Sequence, residues 1–519
     1  VVVVGAGVGG LVTALLLASQ GLRVQVLESG STPGGKMRQV LAGGEPVDSG
    51  PTVLTMRWVF EQIFEAAGSS LEQHVALTPL QVLARHAWGP DPLRDRLDLF
   101  ADRARTVDAI ARFSSPAEAR RFERFCEESQ RVYRSLEGPY IRSKRPSLSS
   151  MMTGLGPLGL ARLARLGPMT SMWSLLSRRF QDPRLRQLFG RYATYCGASP
   201  WLAPATLMLV AQVELQGVWT VSGGMHALAL ALADLGRRRG VAFEYDAPVS
   251  EITVARGRAS GALGRDGRHW PADAVVFNGD ADALAQGLLG KAVQTAVPAR
   301  RPADRSLSAL TCSVLARTGG FPLARHNVFF QDDYAGEFKD VFERGRLPRQ
   351  GTVYLCAQDR GDEGPGPGPH QERLLMLVNG PPNGDHAAAD PMEIERCEHT
   401  SLALLERCGL TVERRTQDWV RTTPQDFSRL FPGSGGGLYG TATHGWMSLF
   451  RRPGTMTRVP GLFLAGGSVH PGPGVPMAAL SGSLAASTVM AHLGSISRSP
   501  AGAISGGTST PSATTASTG

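Results

Sequence analysis

An unbroken run of β-branched residues, Val1-Val2-Val3-Val4, passes directly into Gly5-Ala6-Gly7-Val8-Gly9-Gly10 and then into an apolar stretch from Leu11 to Gln20 that stops at Gly21. Strand, glycine turn and helix in that order are the parts of a dinucleotide-binding corner. Gly5 permits the tight turn, Gly7 lets the backbone approach a pyrophosphate, and Gly10 lets helix and strand pack closely. The helix N-terminus adds free N–H groups and the positive end of a dipole. A second strand, Leu22-Arg23-Val24-Gln25-Val26-Leu27, ends on Glu28. An acid about 20 residues after the turn accepts hydrogen bonds from ribose hydroxyls and repels a 2′-phosphate. The pattern predicts an α/β domain that holds a dinucleotide other than NADP.

A chain of 519 residues exceeds the size at which single cores divide, so two domains are expected. Its six cysteines, Cys126, Cys196, Cys312, Cys356, Cys397 and Cys408, are scattered without a Cys-x-x-Cys pair. They read as thiols of a reduced cytosol, and neither a disulfide framework nor a metal site is expected. The net charge of +9 is carried mainly by Arg on otherwise ordinary helices, with no basic stripe interleaved with aromatics of the kind nucleic acid requires. No signal-peptide pattern precedes the first strand and no uninterrupted apolar run reaches about 18 residues, so a membrane span is not expected. The Ser, Thr, Gly and Ala composition of 495–519 predicts a disordered tail, and Arg360 to Pro369 a disordered loop.

One basic stretch stands out. Leu155, Leu158, Leu163, Leu166, Met169, Met172, Trp173 and Leu176 recur at helical spacing, while Arg162 and Arg165 fall elsewhere on the wheel. Such a segment fits the interface of an anionic bilayer, and equally fits a pair of core-facing helices with solvated arginines. Further on, Gly223-Gly224-Met225 opens a helix running to about Arg239, and strands at Ile252–Val254 and Trp270–Asp280 re-enter the first domain after a long insertion. Near the far end, Val459 to Gly467 reads as a buried strand ending on glycines, and a small-residue helix begins at Met477.

Where an NAD enzyme would continue with another βαβ unit, this chain has Gly34-Gly35-Lys36-Met37-Arg38 and then Asp48-Ser49-Gly50-Pro51-Thr52. These segments resemble flavoproteins of the amine oxidase and phytoene desaturase superfamily. With Gly223-Gly224-Met225 and His470-Pro471-Gly472-Pro473-Gly474-Val475-Pro476 added, the chain resembles the bacterial-type phytoene desaturase family of carotenoid enzymes over nearly its whole length, the tail excepted. Arg191-Tyr192-Ala193-Thr194-Tyr195-Cys196-Gly197-Ala198-Ser199-Pro200 and Gly217-Val218-Trp219 are most similar to its hydroxyneurosporene and methoxyneurosporene 3,4-desaturases. Two positions depart from the wider pattern: Lys36 stands where many relatives have Arg, and Ser468-Val469-His470 where phytoene desaturases tend to have Thr before the His.

The resemblance implies FAD and a Rossmann-like FAD-binding domain assembled from 1–75, 220–295 and 455–494, with an inserted α+β substrate-binding and membrane-contacting domain from 76–219 and 296–454. It implies that Gly5, Gly7, Gly10, Glu28, Gly35, Lys36, Gly50, Pro51, Thr52, Val249, Gly466, Gly467, Val475 and Met477 hold the cofactor. Val249 would offer backbone groups to adenine, Lys36 or Arg38 would face the phosphates, and the C-terminal helix would point its N-terminus at the flavin N1 edge. The implied reaction introduces a C3–C4 double bond into an acyclic 1-hydroxy or 1-methoxy carotenoid, by hydride transfer to flavin N5 and loss of a proton. The polyene stabilises much of the charge, so positioning and water exclusion dominate. Among Glu214, His226, His444 and His470, His470 is the candidate proton acceptor because it sits in the C-terminal turn. Implied partners are the carotenoid, a membrane surface met by residues 154–180 at the cytoplasmic face of the inner membrane, and oxygen or a quinone as electron acceptor. The competing readings are a phytoene desaturase, a carotenoid isomerase, an amine oxidase, for whose aromatic cage only Tyr439 and Trp446 are at hand, and a non-enzymatic prenyl-lipid carrier of the GDP-dissociation-inhibitor type.

Overall fold

The computed structural model describes residues 1–143, 154–156, 159, 167, 169–361, 371–386, 390–413, 415 and 418–498. Val2–Val4 is the middle strand of a five-stranded, all-parallel sheet in the spatial order 462–464, 275–277, 2–4, 25–27, 242–244. Successive strand side chains point to opposite faces, and here both faces are covered. Val3, Val26, Val276 and Phe463 enter one core together with the first helix, Val8–Ser19, whereas Val2, Val4, Leu27, Val275, Phe277, Leu462 and Leu464 enter another. Burial on both sides is why the opening run is apolar without alternation. The helices Met225–Arg238 and Val475–Arg498 pack on the first helix. Thr13 Oγ1 lies 2.7 Å from the Gly9 carbonyl and 3.1 Å from that of Gly482, and a methyl group on Gly482 would lie 2.5 Å from the Gly9 oxygen.

A second, mixed sheet is built from strands at 82–87, 96–100, 308–320, 326–329, 353–357, 372–380, 410–413 and 419–422. Along its long strand, Ser308–Gly320, Leu310, Cys312, Val314 and Ala316 enter a core with the helix Pro391–Arg407, and Thr311 and Ser313 fall on the other face. That other face looks towards a helical layer whose core is aromatic, with Phe122, Phe125, Phe180, Phe189 and Tyr192 all fully buried. Phe180 and Phe189 stack at 5.0 Å. Met477 and Leu480, from the first turns of the C-terminal helix, touch both this core and that of the parallel sheet, so this helix joins the two halves.

Several boundaries differ from the sequence reading. The first helix starts at Val8, not Leu11, because Gly9 and Gly10 are helical residues packed against neighbouring backbone. The last helix starts at Val475, after Gly474 at φ +104° and with Pro476 at its second position, where a missing N–H costs nothing. It runs to Arg498, past residue 495, where the tail was expected to begin; 499–519 lie outside the described residues. So do 362–369 of the expected loop, whereas the Arg360 guanidinium is bidentate on Glu372 at 2.8 Å. Of the amphipathic stretch, Leu158, Arg162, Leu163, Arg165 and Leu166 lie outside the described residues. Downstream, Met172, Leu175 and Leu176 are core and Trp173 stacks on Trp201 at 4.4 Å, whereas Met169 is 84% exposed. Among the described residues no helix is long and apolar enough to cross a membrane.

Candidate cofactor and active site

Four distant segments meet at the carboxyl ends of the parallel strands, where open α/β sheets bind their ligands. Asn278, the residue after strand Val275–Phe277, fills the space the glycines leave. A methyl group on Gly7 would lie 2.7 Å from its Oδ1, and one on Gly9 2.7 Å from its Nδ2 and 2.7 Å from the backbone N of Gly466; one on Gly10 would run into the Gly5 carbonyl. Asn278 Nδ2 donates to the Ala465 carbonyl at 2.9 Å, and its Oδ1 is buried without a partner. Gly5, at φ +101°, and Gly466, at φ +117°, take a backbone conformation that side chains disfavour. No acid lies in the first turn of either glycine-led helix, and no side chain caps the first of them. The opening N–H groups of the Val8–Ser19 helix are thus positioned for an anion.

Glu28 stands half-buried beside this corner. Its Oε2 accepts the Ala6 N–H at 2.6 Å, and its Oε1 the Gly30 N–H at 2.8 Å and the Ser29 hydroxyl at 3.2 Å, which leaves Oε2 a further lone pair. Ala247 N–H donates to the Glu28 carbonyl at 2.9 Å, which brings Val249, the first residue of strand Val249–Ala255, to the same place. The Gly34-Gly35 turn folds onto the glycine corner: Gly34 N–H donates to the Ala6 carbonyl at 2.8 Å, and a methyl group on Gly35 would lie 3.1 Å from Gly7 Cα.

Lys36 follows this turn inward. Its Nζ donates to the Leu438 carbonyl at 2.5 Å and lies 5.2 Å from the Phe431 ring centroid. Burial pushes its ammonium down to about 8, with Asp280 opposing and Arg300 and Arg452 reinforcing the shift. It is half-buried and keeps some accessible surface. Arg38 turns elsewhere, donating to Thr422 Oγ1 at 2.8 Å. A methyl group on Gly50 would run into the Lys36 carbonyl, which locks Gly50, Pro51 and Thr52 against this segment. The Asp48 carboxylate accepts the Met225 N–H at the start of helix Met225–Arg238.

The C-terminal turn is braced by an arginine that carried no local signal in the sequence. Arg452 is buried and donates to the carbonyls of Tyr439 at 2.8 Å, Thr441 at 2.7 Å and Gly467 at 3.2 Å. The run Gly435-Gly436-Gly437 with Gly440 did carry one, since a methyl group on Gly440 would lie 2.8 Å from Ser468 Cα. His470 Nε2 is 2.9 Å from the Ser143 carbonyl. A carbonyl only accepts, so Nε2 bears the proton and Nδ1 the lone pair. Nδ1 is buried without a partner, and burial pushes the imidazole down to about 4, so it is neutral at neutral pH. The other acceptor candidates are placed elsewhere. His226 Nδ1 is 2.7 Å from the Met37 carbonyl, His444 Nε2 accepts the Ser199 N–H at 3.1 Å, and Glu214 accepts the hydroxyls of Tyr192 at 2.7 Å and Tyr195 at 3.1 Å. Only His470 shares the turn that joins Gly466 and Gly467 to Val475 and Met477.

A strand-to-helix glycine corner, an acid at the next strand end, and a second helix N-terminus facing the same cradle define a flavin-binding oxidoreductase. Residues 8–490 match the family described as flavin containing amine oxidoreductase, and the chain belongs to that family. Its cofactor is FAD, and the glycine cradle, with its unpartnered Asn278 oxygen and half-buried lysine, fits such a group. The chain is 60% identical to the hydroxyneurosporene desaturase of Rubrivivax gelatinosus, over 99% of this chain and 98% of that one. It is 46% identical to the hydroxyneurosporene desaturase of Cereibacter sphaeroides, over 96% and 99%. A cyclohexylamine oxidase from Brevibacterium oxydans has the same fold, with a TM-score of 0.55 at 18% identity, covering 95% of this chain and 99% of that one.

Proposed function

We propose that this enzyme introduces a C3–C4 double bond into an acyclic carotenoid bearing a hydroxyl or methoxy group at C1. The observation that carries the reading is the 60% identity, over nearly the full length, to a protein named for desaturating hydroxyneurosporene. FAD, when bound, supplies the hydride acceptor. The chain's own residues do the rest. Gly5, Gly7 and Gly10 admit the pyrophosphate, Glu28 accepts the ribose hydroxyls, Val249 meets the adenine, and Lys36 supplies positive charge. Gly35 and Gly50 to Thr52 shape the wall, and Gly466, Gly467, Val475 and Met477 seat the ring. His470 Nδ1, a neutral lone pair inside the protein, takes the proton from the carbon next to the one that loses hydride. A carbocation spread along a polyene is a strong acid, so a weak base suffices.

The same reading divides the chain into an FAD domain (1–75, 220–295, 455–494) and a substrate domain (76–219, 296–454). It places the protein at the cytoplasmic face of the inner membrane through residues 154–180, where exposed Met169 sits, with oxygen or a quinone as the final electron acceptor. The test is incubation of the flavin-loaded enzyme with 1-hydroxyneurosporene or phytoene in liposomes. A red shift of the absorption bands with the first and none with the second is expected. The reverse result would replace this reading with a phytoene desaturase.

A pH dependence of cofactor affinity follows from Lys36. Its ammonium deprotonates near 8 in the flavin-free protein, and the negative pyrophosphate favours the charged form, so flavin binding takes up a proton above that pH. The FAD dissociation constant should rise up to about tenfold per pH unit above about 8 and be flat below it, whereas Lys36→Arg should give a flat profile throughout. Titration of apo-protein by fluorescence quenching checks this.

A further inference from the structure

Between the mixed sheet and the aromatic helical layer lies a buried polar cluster that no step described so far uses. In the sheet register Val328 stands opposite both His86 and Tyr354, and His326 opposite Cys356. Side chains two apart share a face, so His86, His326, Tyr354 and Cys356 project together towards the turn Arg191–Cys196. Arg191 is 7% exposed, His326 2%, Tyr334 4% and His86 0%. Arg191 Nε and Nη2, His326 Nε2, Tyr334 Oη and His86 Nε2 are all buried without a hydrogen-bond partner. The guanidinium's bond is to Tyr195 Oη at 3.0 Å, while the Glu214 carboxylate nearby is taken by two tyrosine hydroxyls. Arg191 is close enough to His86, His326, Tyr334 and Tyr354 for its charge to act on each of them.

Orphan polar groups at this density are costly: those of Arg191 are donors, whereas His86 Nδ1 donates to the Leu97 carbonyl at 3.2 Å and leaves its Nε2 an acceptor. An unsatisfied buried polar group costs about 1–3 kcal/mol, and more when charged, so the site calls for an acceptor. Arg191 offers donors only, and His326 Nδ1 lies 2.8 Å from Tyr354 Oη. Burial pulls the His326 imidazole down to about 3, so it does not add charge. A chain of hydroxyls links the cluster to the cofactor wall: Tyr354 Oη is 2.6 Å from Thr52 Oγ1, in the segment that Gly50 locks against Lys36. Tyr195 and Tyr354 are half-buried and keep some accessible surface.

We infer that Arg191, with Tyr334 and the His326–Tyr354–Thr52 chain, forms an oxygen-recognition site that binds the C1 hydroxyl or methoxy oxygen of the carotenoid and sets the preference for oxygenated over hydrocarbon chains. The inference rests on the substrate class proposed above. That chemistry fits the position, because an oxygen on C1 is two carbons from C3 and its partners must therefore stand beside the reacting bond. An ether oxygen accepts as an alcohol does, so the Arg191 donors serve both.

The test compares binding and turnover of 1-hydroxyneurosporene, its methyl ether and neurosporene in liposomes by the FAD-loaded wild type, Arg191→Met and Tyr334→Phe. Arg191→Met should lose about 10- to 100-fold in affinity and kcat/KM for the two oxygenated probes and less than about threefold for neurosporene, with flavin content retained. Tyr334→Phe guards against misfolding of the first variant: its hydroxyl has no partner, so the unfolding midpoint should hold while selectivity falls about three- to tenfold. Equal losses for all probes would mark a merely structural role, and no preference in the wild type would mark donors satisfied by water. Either result overturns the inference. Selective binding that Arg191→Met abolishes, without turnover of any probe, would sink the desaturase reading and leave oxygen recognition standing.

Discussion

Gly9→Val should yield a folded protein that is purified without flavin and has activity reduced by at least about a hundredfold. The added side chain meets backbone on one side, 2.7 Å from Gly466 N and 2.8 Å from Gly466 Cα, and the fixed amide of Asn278 on the other. No flexible side-chain end can swing away, so the turn Gly466–Gly467 must move off the glycine corner. Overpacking of this kind costs about 3 kcal/mol or more, which is a factor of about a hundred in an equilibrium constant. The flavin-to-protein absorbance ratio reads the loss directly. Gly494→Ala is the control: a methyl there meets nothing within 4 Å, and helical Gly to Ala is neutral or stabilising by up to about 1 kcal/mol. Full flavin occupancy in Gly9→Val would mean that the N-terminal and C-terminal elements need not touch to hold the cofactor.

Arg452→Met should destabilise the protein by about 3–5 kcal/mol, measured as a shift of the denaturant midpoint at constant slope. Methionine keeps much of the bulk but leaves the carbonyls of Tyr439, Thr441 and Gly467 without their shared donor. Hydrogen bonds to a charged group contribute about 1.5–3 kcal/mol each, and buried carbonyls left unsatisfied add desolvation cost. Arg452→Lys should recover less than half of this, because one ammonium cannot span three carbonyls that a planar fork reaches. A midpoint unchanged in the methionine variant would show that the turn holds without this brace.

The corner that binds the adenosine end was legible because its requirements are local. A strand, a turn of fixed glycines and an acid at the next strand end lie within 28 residues, and their geometry follows from backbone rules alone. The family resemblance also pointed to Gly466, Gly467, Val475 and His470, which lie between strand Leu462–Leu464 and the start of the last helix. What local sequence did not disclose were contacts made only in three dimensions. Nothing near Asn278 says that its amide will fill the space above Gly7, Gly9 and Gly10. Nothing near Arg452 says that its guanidinium will close the turn, and the residues around Arg191 were read only for the branch of the family they resembled. The helix starts were misplaced for a related reason: Gly9 and Gly10 have poor helix propensity, and tertiary packing against neighbouring backbone overrides it.

The contact between Thr13 and the carbonyl of Gly482 spans 469 positions of chain. At about 5–20 residues per second, a ribosome takes on the order of 25 to 90 s to deliver the second partner after the first. One edge of the central strand can pair with 25–27 at once, but the other waits for 275–277, the sheet is completed only by 462–464, and the apolar first helix stays uncovered by the last one throughout. The flavin cradle, which needs Gly466 beside Gly9, is complete only after that late segment is made. Transcripts cut short before residue 462 should yield aggregating, colourless polypeptide, however complete their glycine motif.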